Sequence, residues 1–550
     1  MSITSAMFTG VSGLLANAEG INVIGNNLAN VNTIGFKSGR MLFSDMLSTD
    51  IGNNSQIGRG SMIQKVDNVF GQGSFESTES VTDLALQGNS FFALKAPGDA
   101  APVTQNQSYV SRAGAFRTDA DLFLVNADGY QVLDTQGNPI KFNDNATGIA
   151  TAVAALSPLL TTLQASVNEL DTKAGDLVTA ADAAVTSAST AVAYTTALTE
   201  INTKATTLLT NADALKTAAN TGGTASEQLL ASNIQLAADA SKKAAQAAVD
   251  KPQDPTLGAA ALSSLNSLST LINAASFSTA TVNTAYTTLK NSQDAAPTLS
   301  TLASTYNTQV NPLKMALADQ TNANALKEAT ESALNAAGLA ITSPQSTALS
   351  NNALSTLADA NNLIKTTTFQ TPSVVTAYTA VTGAIPATET AAAGAAPAIT
   401  ILAGEIGKAF EKIVTIGANG LITYVGKDGT TTNYYNVSGQ VGIPATKENS
   451  LSAQRLAVIS VPNANALQKT GGTLFKATVE SGISDKGFTL LNNSLNGSSE
   501  KVFTNSLEQS NVDMAAQFVK MILTQRAYSA NSKTITTADE MTQEVLNLKR

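Results

Sequence analysis

The stretch Asn32–Ser38, NTIGFKS, contains the glycine, lysine and hydroxyl residues from which phosphate-binding loops are built. In such a loop the lysine follows the second glycine directly, and another glycine stands five residues before that one. Here Phe36 separates Gly35 from Lys37, and Asn30 occupies the earlier position. The pattern therefore does not predict a nucleotide site.

The acidic stretch Asp119–Gly129, DADLFLVNADG, resembles a calcium-binding loop. However, Phe123 occupies a position where an oxygen ligand is needed. A β-hairpin turn explains this stretch better. Neighbouring carboxylates such as Glu76 and Glu79 are interpreted as solvated charges, because no pocket or proton partner can be argued for them. The sequence therefore predicts no metal, no cofactor and no catalytic residue.

The composition of the 550 residues narrows the chemistry further, because the chain has no Cys and no His. Thiolate or imidazole metal sites and serine–histidine–aspartate triads are thereby excluded. The net charge of −9, with no basic run, argues against a nucleic-acid partner. No stretch approaches the roughly 18 apolar residues of a membrane span, so no membrane insertion is expected. The first basic residue is Lys37, which does not fit a cleaved signal peptide.

Both ends of the chain read as amphipathic helices. In residues 1–30 an apolar seam alternates spacings of four and three, and further apolar residues lie outside it. The seam consists of Met7, Val11, Leu14, Ala18, Ile21, Gly25 and Leu28, and the outer residues include Phe8, Leu15 and Ile24. The C-terminal helix, 511–550, carries Met514, Phe518, Met521, Tyr528 and Ile535, with Val519, Ile522 and Leu523 broadening its stripe.

Two such helices are expected to pair, either as a hairpin that closes one domain or as a coiled coil whose outer apolar faces meet other copies. Between them, residues 80–145 and 401–504 have hairpin signals and β-branched residues, which indicate one discontinuous β domain. Residues 146–400 are rich in Ala, Thr, Ser and Leu and indicate long helices, with disorder as the alternative. The predicted fold class is multidomain α+β, with a discontinuous antiparallel β domain and a large helical central insertion.

Several segments resemble the flagellar basal-body rod and hook family. The first is MFTGVSGLLANAEGINVIGNNLANVNTIGFK, followed by QIGRG, FGQGSFESTES and DLALQGNSFFAL. LAVISVPNANALQKTGGTLFKAT and SNVDMAAQFVKMILTQRAYSANSKTITTADEM complete the series. The large central insertion makes the chain look like a hook protein rather than a distal rod protein. One departure is Leu122, where related loops commonly carry Gly.

The resemblance implies a structural subunit that polymerises with itself into a helical tube, and not an enzyme. It implies an inner coiled-coil domain (1–35 and 505–550), a linker or hinge (36–79), the β domain and the outer helical domain. Implied partners are the distal rod, the hook cap, the hook–filament junction proteins and the flagellar type III export apparatus. The implied location is the extracellular flagellum. A distal rod subunit, or a surface adhesin with a helical stalk, are the alternatives.

The polar stretch Asn26–Arg40, NNLANVNTIGFKSGR, reads as the junction between the first helix and the outer domains. Its asparagines can satisfy backbone groups where a helix ends, and Lys37 is expected outside the apolar zone. A Gly35→Val variant is expected to be exported but not to polymerise. The predicted junction residues are Ala29, Asn30, Asn32, Thr33, Gly35, Phe36 and Lys37.

Overall fold

The computed structural model describes residues 3–52, 55–99, 108–435, 443–444, 455–483 and 500–548. The chain forms two compact units, one of Met1–Ile149 with Ala403–Arg550 and one of Ala150–Leu402. Helices and antiparallel sheets are both present, as an α+β fold requires. The helices are α1 (Ile3–Ala29), α2 (Ala146–Ser189), α3 (Val192–Gly222), α4 (Ala225–Asp250), α5 (Pro255–Ala274), α6 (Ala280–Asp294), α7 (Leu299–Gln309), α8 (Asn311–Thr342), α9 (Thr347–Thr366), α10 (Pro372–Lys408) and α11 (Met514–Leu548).

The strands belong to the first unit and alternate with tight turns. Those before the helical unit are β1 (Gly39–Asp45), β2 (Thr49–Gly52), β3 (Ser55–Ile57), β4 (Ser61–Asn68), β5 (Phe75–Ser77), β6 (Leu84–Gln87), β7 (Phe91–Lys95), β8 (Ser108–Ser111), β9 (Arg117–Thr118), β10 (Leu124–Val125) and β11 (Gln131–Val132). Those after it are β12 (Phe410–Ile416), β13 (Ile422–Gly426), β14 (Thr432–Tyr434), β15 (Ile443–Pro444), β16 (Val458–Ile459), β17 (Gln468–Gly471), β18 (Leu474–Lys476), β19 (Lys501–Thr504) and β20 (Ser506–Glu508).

The sheets combine strands from both sides of the helical unit. The largest sheet has the order β17-β18-β8-β7-β11-β10-β9, with β16 also paired to β7. The pairs β19–β6 and β20–β5 likewise join distant parts of the chain. Buried residues from both halves, including Leu86, Phe92, Phe410 and Leu456, share one core. The β region is therefore assembled from two separated segments of sequence.

Segment 36–79, predicted as a linker or hinge, carries strands rather than an open connection. β1 pairs with β4 in antiparallel register, and the short pair β2–β3 lies between them in the chain. This β1–β4 ribbon packs on α1, where Met41 Cε lies against Gly20 and Gly60 lies against Ser12. Whether the segment acts as a hinge stays a prediction.

The second unit is helical, and its buried residues recur every three or four positions. In α2 they include Leu156, Leu160, Leu163, Val167 and Leu170. By length and composition alone, α2 and α10 could each cross a membrane, whereas the sequence predicted no membrane span. A core helix has the same composition. Because α2 buries these leucines and α10 buries Val381 and Ile399, both are bundle helices.

Candidate assembly site

The terminal helices α1 and α11 lie antiparallel along a seam of small and polar residues. A Cβ atom on Gly13 would stand only 2.7 Å from Asn531 Nδ2. At the other end of the seam, Asn27 Nδ2 donates to Gln517 Oε1 at 3.4 Å. The two helices therefore pack closely at Gly13, where a larger side chain would displace Asn531. The buried positions of α1 are Gly10, Gly13, Ala16, Gly20, Ile24 and Asn27.

The facing side of α11 is only partly covered. Among its described residues, Gln517 and Ala538 are the buried ones. Half-buried residues continue the same spacing of three and four, and include Met521, Thr524, Asn531, Ile535 and Thr542. Polar groups thus make up much of this contact, and it buries little apolar surface.

The seam predicted from the largest apolar residues is not the buried one, and that assignment was wrong. Val11 is exposed, while Met7, Leu14, Ile21 and Leu28 are only half-buried. Close approach of two helices selects glycine and alanine, so the large residues lie beside the seam. Ile24, predicted to face outward, is buried, at 8% exposure. In α11, Met514, Phe518 and Tyr528 are exposed, whereas Met521 and Ile535 are half-buried.

The large apolar residues of both helices face solvent in the single chain. Phe8 is 73% exposed, and Leu15 and Leu523 are each 60% exposed. Phe8 and Leu15 also line a groove of about 510 Å³ together with Met46 and Arg59 from the ends of β1 and β4. Exposed apolar residues on this scale mark a surface that is covered by something else. The further members are Val11, Met514, Phe518, Val519, Ile522 and Tyr528.

The junction begins where α1 ends at Ala29. Asn30 Nδ2 donates to the Asn26 carbonyl at 2.8 Å, and Thr33 Oγ1 donates to Asn30 Oδ1 at 3.0 Å. These side chains stabilise the end of the helix, as short polar residues do at helix termini. Asn32 is exposed and Phe36 is buried.

Two further asparagines connect the ribbon to the terminal helices. Asn27 Oδ1 accepts from the Gly39 amide at 2.7 Å, and its Nδ2 donates to the Gly39 carbonyl at 2.8 Å. Asn511, just before α11, accepts from the Ser38 amide at 2.8 Å and donates to the Val69 carbonyl at 2.7 Å. The start of β1 is therefore bonded to both helices at once.

Gly35 lies where the junction crosses the β region. Its φ is +67°, and an added Cβ would stand 2.4 Å from the Ala113 amide nitrogen. Its own N–H donates to the Glu508 carbonyl at 2.7 Å. Only glycine combines this backbone conformation with this close approach.

Lys37 was expected to lie outside the apolar zone. The structure instead places it in a buried charge cluster. Its Nζ donates to Glu508 Oε1 at 2.7 Å and to the Gly71 carbonyl at 2.8 Å. Arg112 Nη1 donates to the other carboxylate oxygen at 3.2 Å. The side chains of Lys37 and Glu508 are completely buried, and that of Arg112 is 1% exposed.

Burial dominates the electrostatics of this Lys37–Glu508–Arg112 cluster. Desolvation lowers the pKa of Lys37 and that of Arg112, while the Glu508 carboxylate opposes both shifts. Glu508 thus pairs with two cations, and Glu500 adds a smaller attraction to Arg112. Removing one member of a buried ion pair typically costs about 3–5 kcal/mol, because the remaining charge keeps its desolvation penalty. The cluster therefore fixes the junction to β20, just before α11.

Glu508 and Arg112 were not predicted from the sequence. They lie 471 and 75 positions from Lys37 in the chain, so no local pattern relates them. The pairing of β20 with β5 places Glu508 beside the junction. A usable signal was Lys37 itself, the first cation of the sequence, which in a buried setting requires a carboxylate.

Two family models match the ends of the chain that build this site. The model described as "Flagella basal body rod protein" matches residues 7–37, and the model "Flagellar basal body rod FlgEFG protein C-terminal" matches residues 504–548. The first match ends at Lys37, and the second contains Glu508.

Curated relatives match over about a quarter of the chain. The flagellar hook protein FlgE of Borreliella burgdorferi is 37% identical over 153 residues, 24% of this chain and 33% of the relative. The flagellar basal-body rod protein FlgG of Bacillus subtilis is 36% identical over 153 residues, 26% of this chain and 55% of the relative. FlgE of Treponema pallidum is 37% identical over 140 residues, 23% of this chain and 28% of the relative.

The chain thus spans between about a quarter and just over half of the length of these relatives. The matched segments include both terminal helices and the junction, in the order that the sequence motifs indicated. Over these segments, the chain is similar to the flagellar rod and hook proteins.

Proposed function

We propose that the chain is a structural subunit of the bacterial flagellar hook, which polymerises into a helical tube and transmits motor torque to the filament as a universal joint. The observation that carries this proposal is the row of exposed apolar residues beside the α1–α11 seam. A repeated head-to-tail contact through such surfaces produces an open helical polymer. The pairing of α1 with α11 as a coiled coil is part of the same proposal.

The hook assignment draws on the FlgE relatives and on the large helical unit that follows the β region. Export through the flagellar type III apparatus, and contacts with the rod, cap and junction proteins, are inferred from the family. The predicted assembly residues keep this role in the proposal, except that Ile24, Met521 and Ile535 are reassigned to the seam inside the subunit.

A distal rod subunit is the second candidate, because the rod protein FlgG of Bacillus subtilis matches over 55% of its length. The two candidates differ in the mechanics of the assembled tube. Electron cryomicroscopy of tubes grown from the purified chain distinguishes them: curved, compressible tubes support the hook, and straight, rigid tubes support the rod.

The assembly surface is tested with Phe8→Glu and Ile522→Glu. Because both side chains are exposed, the free subunit keeps its thermal stability, whereas sedimenting polymer decreases at least tenfold. Leu229→Glu on α4 is the matched control, since Leu229 is 65% exposed but lies outside the terminal helices. Normal polymer from both terminal variants would contradict the proposal.

A further inference from the structure

The helical unit contains two similar stretches 92 residues apart. SFSTATVNTAYTTL (Ser276–Leu289) connects α5 to α6, and TFQTPSVVTAYTAV (Thr368–Val381) connects α9 to α10. They have the same phenylalanine, threonine and AYT residues at equivalent positions. The helices keep this separation too, since α5 and α9 have the same length and begin 92 residues apart.

The two stretches also make the same hydrogen bonds. The Tyr286 hydroxyl donates to the Ile272 carbonyl at 2.8 Å and to the Ala275 carbonyl at 3.0 Å, at the end of α5. Each of these residues has a counterpart 92 positions later that makes the same bond at the end of α9. The counterparts are Tyr378, Ile364 and Thr367.

A buried carboxylate holds each of these connections at its other side. Glu227, at the start of α4, accepts from the Ser278 and Thr279 amides at 2.8 and 3.0 Å. Asp319, in α8, is again 92 residues further on, and it accepts from the amides that precede α10. Its donors are Gln370 and Thr371, at 3.0 and 2.7 Å. Helices α4–α6 and α8–α10 are therefore two copies of one arrangement.

A fourth helix completes each copy. LDTKAGDLVTAA (Leu170–Ala181) in α2 resembles LLTNADALKTAA (Leu208–Ala219) in α3, at a separation of 38 residues. The buried positions of the two helices coincide at the same separation. In α2 they are Leu156, Leu160, Leu163, Val167, Leu170, Ala174, Leu177 and Ala181. In α3 they are Tyr194, Leu198, Ile201, Ala205, Leu208, Ala212, Leu215 and Ala219.

The two helices also meet their partners in equivalent register. In one copy, Asn202 of α3 donates to Gln246 of α4 at 3.1 Å. In the other, the equivalent positions are Gln164 of α2 and Gly338 of α8, and an added Cβ on Gly338 would stand 3.5 Å from Gln164 Nε2. The copy formed by α3–α6 is thus a closed ring of four helices: α3 contacts α4 and α6, and α5 contacts both of these as well.

The second ring closes through side chains. Asp171 of α2 accepts from Lys327 of α8 at 2.6 Å, and Asn361 of α9 donates to Thr388 of α10 at 3.1 Å. Helices α8 and α9 are in contact along their length, and α2 approaches α10 where Leu159 lies 4.0 Å from a Cβ built on Gly394.

A difference between the copies has a direct physical reason. Lys204 of α3 is buried and donates to the Ser292 and Ala295 carbonyls at 2.8 and 2.7 Å, where α6 ends. Its counterpart in α2 is Ser166. No cap is needed there, because α10 continues as one helix to Lys408. The lysine is therefore explained as a cap for the shorter helix.

The order of helices along the chain shows how the copies are related. In one copy, α3 and α4 are joined by the short turn around Gly223. In the other, α2 and α8 are separated in sequence by the whole of α3–α7, yet they remain in contact near that point, where Gln320 donates to Asp182 at 2.6 Å. We infer that residues 150–402 are a four-helix bundle with a second copy of itself inserted at one helical turn, and that the inserted copy, residues 191–310, is a separable module.

Two deletion variants of the full chain test this inference. One lacks residues 191–310, and the other has residues 183–316 replaced by Thr-Gly-Gly-Thr, the turn that follows α3. Hydrogen exchange of the free subunit is the measurement, because it does not depend on polymerisation. Amides of α8–α10 are expected to keep their protection within tenfold in at least one variant, since their partner α2 is retained.

The control lacks residues 231–350, a deletion of equal length that cuts α4 and α9 and leaves neither ring intact. It is expected to lose more than tenfold of the protection in α10. Loss of protection beyond tenfold in both module deletions, or equal protection in the control, would overturn the inference.

A consequence for assembly rests on the proposed function. If the chain forms tubes, the module deletions are expected to form tubes with an unchanged helical lattice and less mass per subunit. If α8–α10 amides stay protected but neither the full chain nor the deletion variants form tubes, the proposed function is contradicted and the module inference stands. Loss of protection with tubes still present would do the reverse.

Discussion

The terminal helix pair and the helical unit 150–402 bury opposite kinds of residue. In the helical unit, Leu163, Leu265 and Leu357 are buried, whereas in α1 the seam is built from glycines and Phe8 and Leu15 face solvent. Burying apolar surface contributes about 25 cal/mol per Å², so the helical unit supplies its own stabilisation and the terminal pair does not. The difference indicates that one region is complete within a single chain and the other needs further partners.

The helix ends are capped in both regions, since Asp513 Oδ1 accepts from the Ala516 amide at 3.1 Å at the start of α11. In the helical unit, α4 begins with a capping box formed by Thr224 and Glu227. Isolated helices are marginal in water without tertiary packing. With only Gln517 and Ala538 buried among its described residues, α11 depends on contacts outside the single chain.

The largest expected effect is that of Gly35→Val on the first unit alone. The new Cβ would collide with the backbone at Ala113, at a φ that valine rarely adopts. We expect the first unit to lose about 5 kcal/mol or more, seen as loss of its thermal transition while that of 150–402 remains. The sequence predicted that Gly35→Val would prevent polymerisation. The structure indicates that it prevents folding of the first unit. Gly25→Ala is the control, because a Cβ there meets no atom within 4 Å; an equal loss in the control would contradict the account.

The next effect is that of Glu508→Gln, which removes the carboxylate bonded to both Lys37 and Arg112 and leaves Arg112 only the weaker attraction of Glu500. We expect the free energy of unfolding of the first unit to fall by about 3–5 kcal/mol, measured by urea denaturation. Glu480→Gln, at an exposed carboxylate, is expected to change it by less than about 0.5 kcal/mol. Adding Lys37→Met to Glu508→Gln removes one unpaired cation and recovers part of the loss; a further loss would show that the cluster is not a unit.

The sequence predicted local features of the fold but not contacts between distant residues. Turns at Asp128-Gly129 and Asn419-Gly420 were predictable, and both glycines have positive φ, because turn chemistry is local. The seam of α1 was not, since hydrophobicity ranks leucine above glycine whereas close helix packing prefers the smaller residue. The partner of Lys37 was not predictable either, since strand pairing across the whole chain brings Glu508 to it.

Two carboxyl groups, one in each unit, are expected to respond oppositely to acid. In the first unit, burial raises the pKa of Asp134 to about 6, and its Oδ2 has no hydrogen-bond partner among the described residues. Since the folded pKa is above the unfolded one, the neutral form stabilises the fold below about pH 4, and this stabilisation is lost as pH rises through 6. The measurement is the free energy of unfolding of the first unit in the parent chain minus that in Asp134→Asn. This difference is expected to be roughly 2–3 kcal/mol larger at pH 3.5 than at pH 7.

In the helical unit, Glu227 behaves in the other direction. Amide donors, with Thr279 the largest contributor, hold the pKa of this carboxyl far below its usual range. Its stabilisation is therefore full above about pH 4.5 and decreases as the pH falls below it. Urea denaturation at pH 7 and pH 3.5, compared with Glu227→Gln, should show the helical unit losing stability on acidification; a gain in stability would contradict this.

The smallest expected effect concerns Leu122, which departs from the family pattern. Its φ is +64°, a left-handed conformation that costs a leucine about 1 kcal/mol and a glycine almost nothing. Because Leu122 also packs against the core, Leu122→Gly is expected to change the free energy of unfolding by less than about 1 kcal/mol. Leu124→Gly, at a completely buried residue, should cost several times more. Equal losses would show that Leu122 is not strained.

The central claim is that the apolar faces of α1 and α11 are covered only by other copies of the chain. Hydrogen exchange of the free subunit and of the assembled tube, with α8 and α9 as internal reference, tests it most directly. We expect amides of α1 and α11 to exchange rapidly in the free subunit and at least a hundredfold more slowly in the tube, with the reference helices unchanged. Equal protection of α1, α11 and the reference helices in the free subunit would contradict the account.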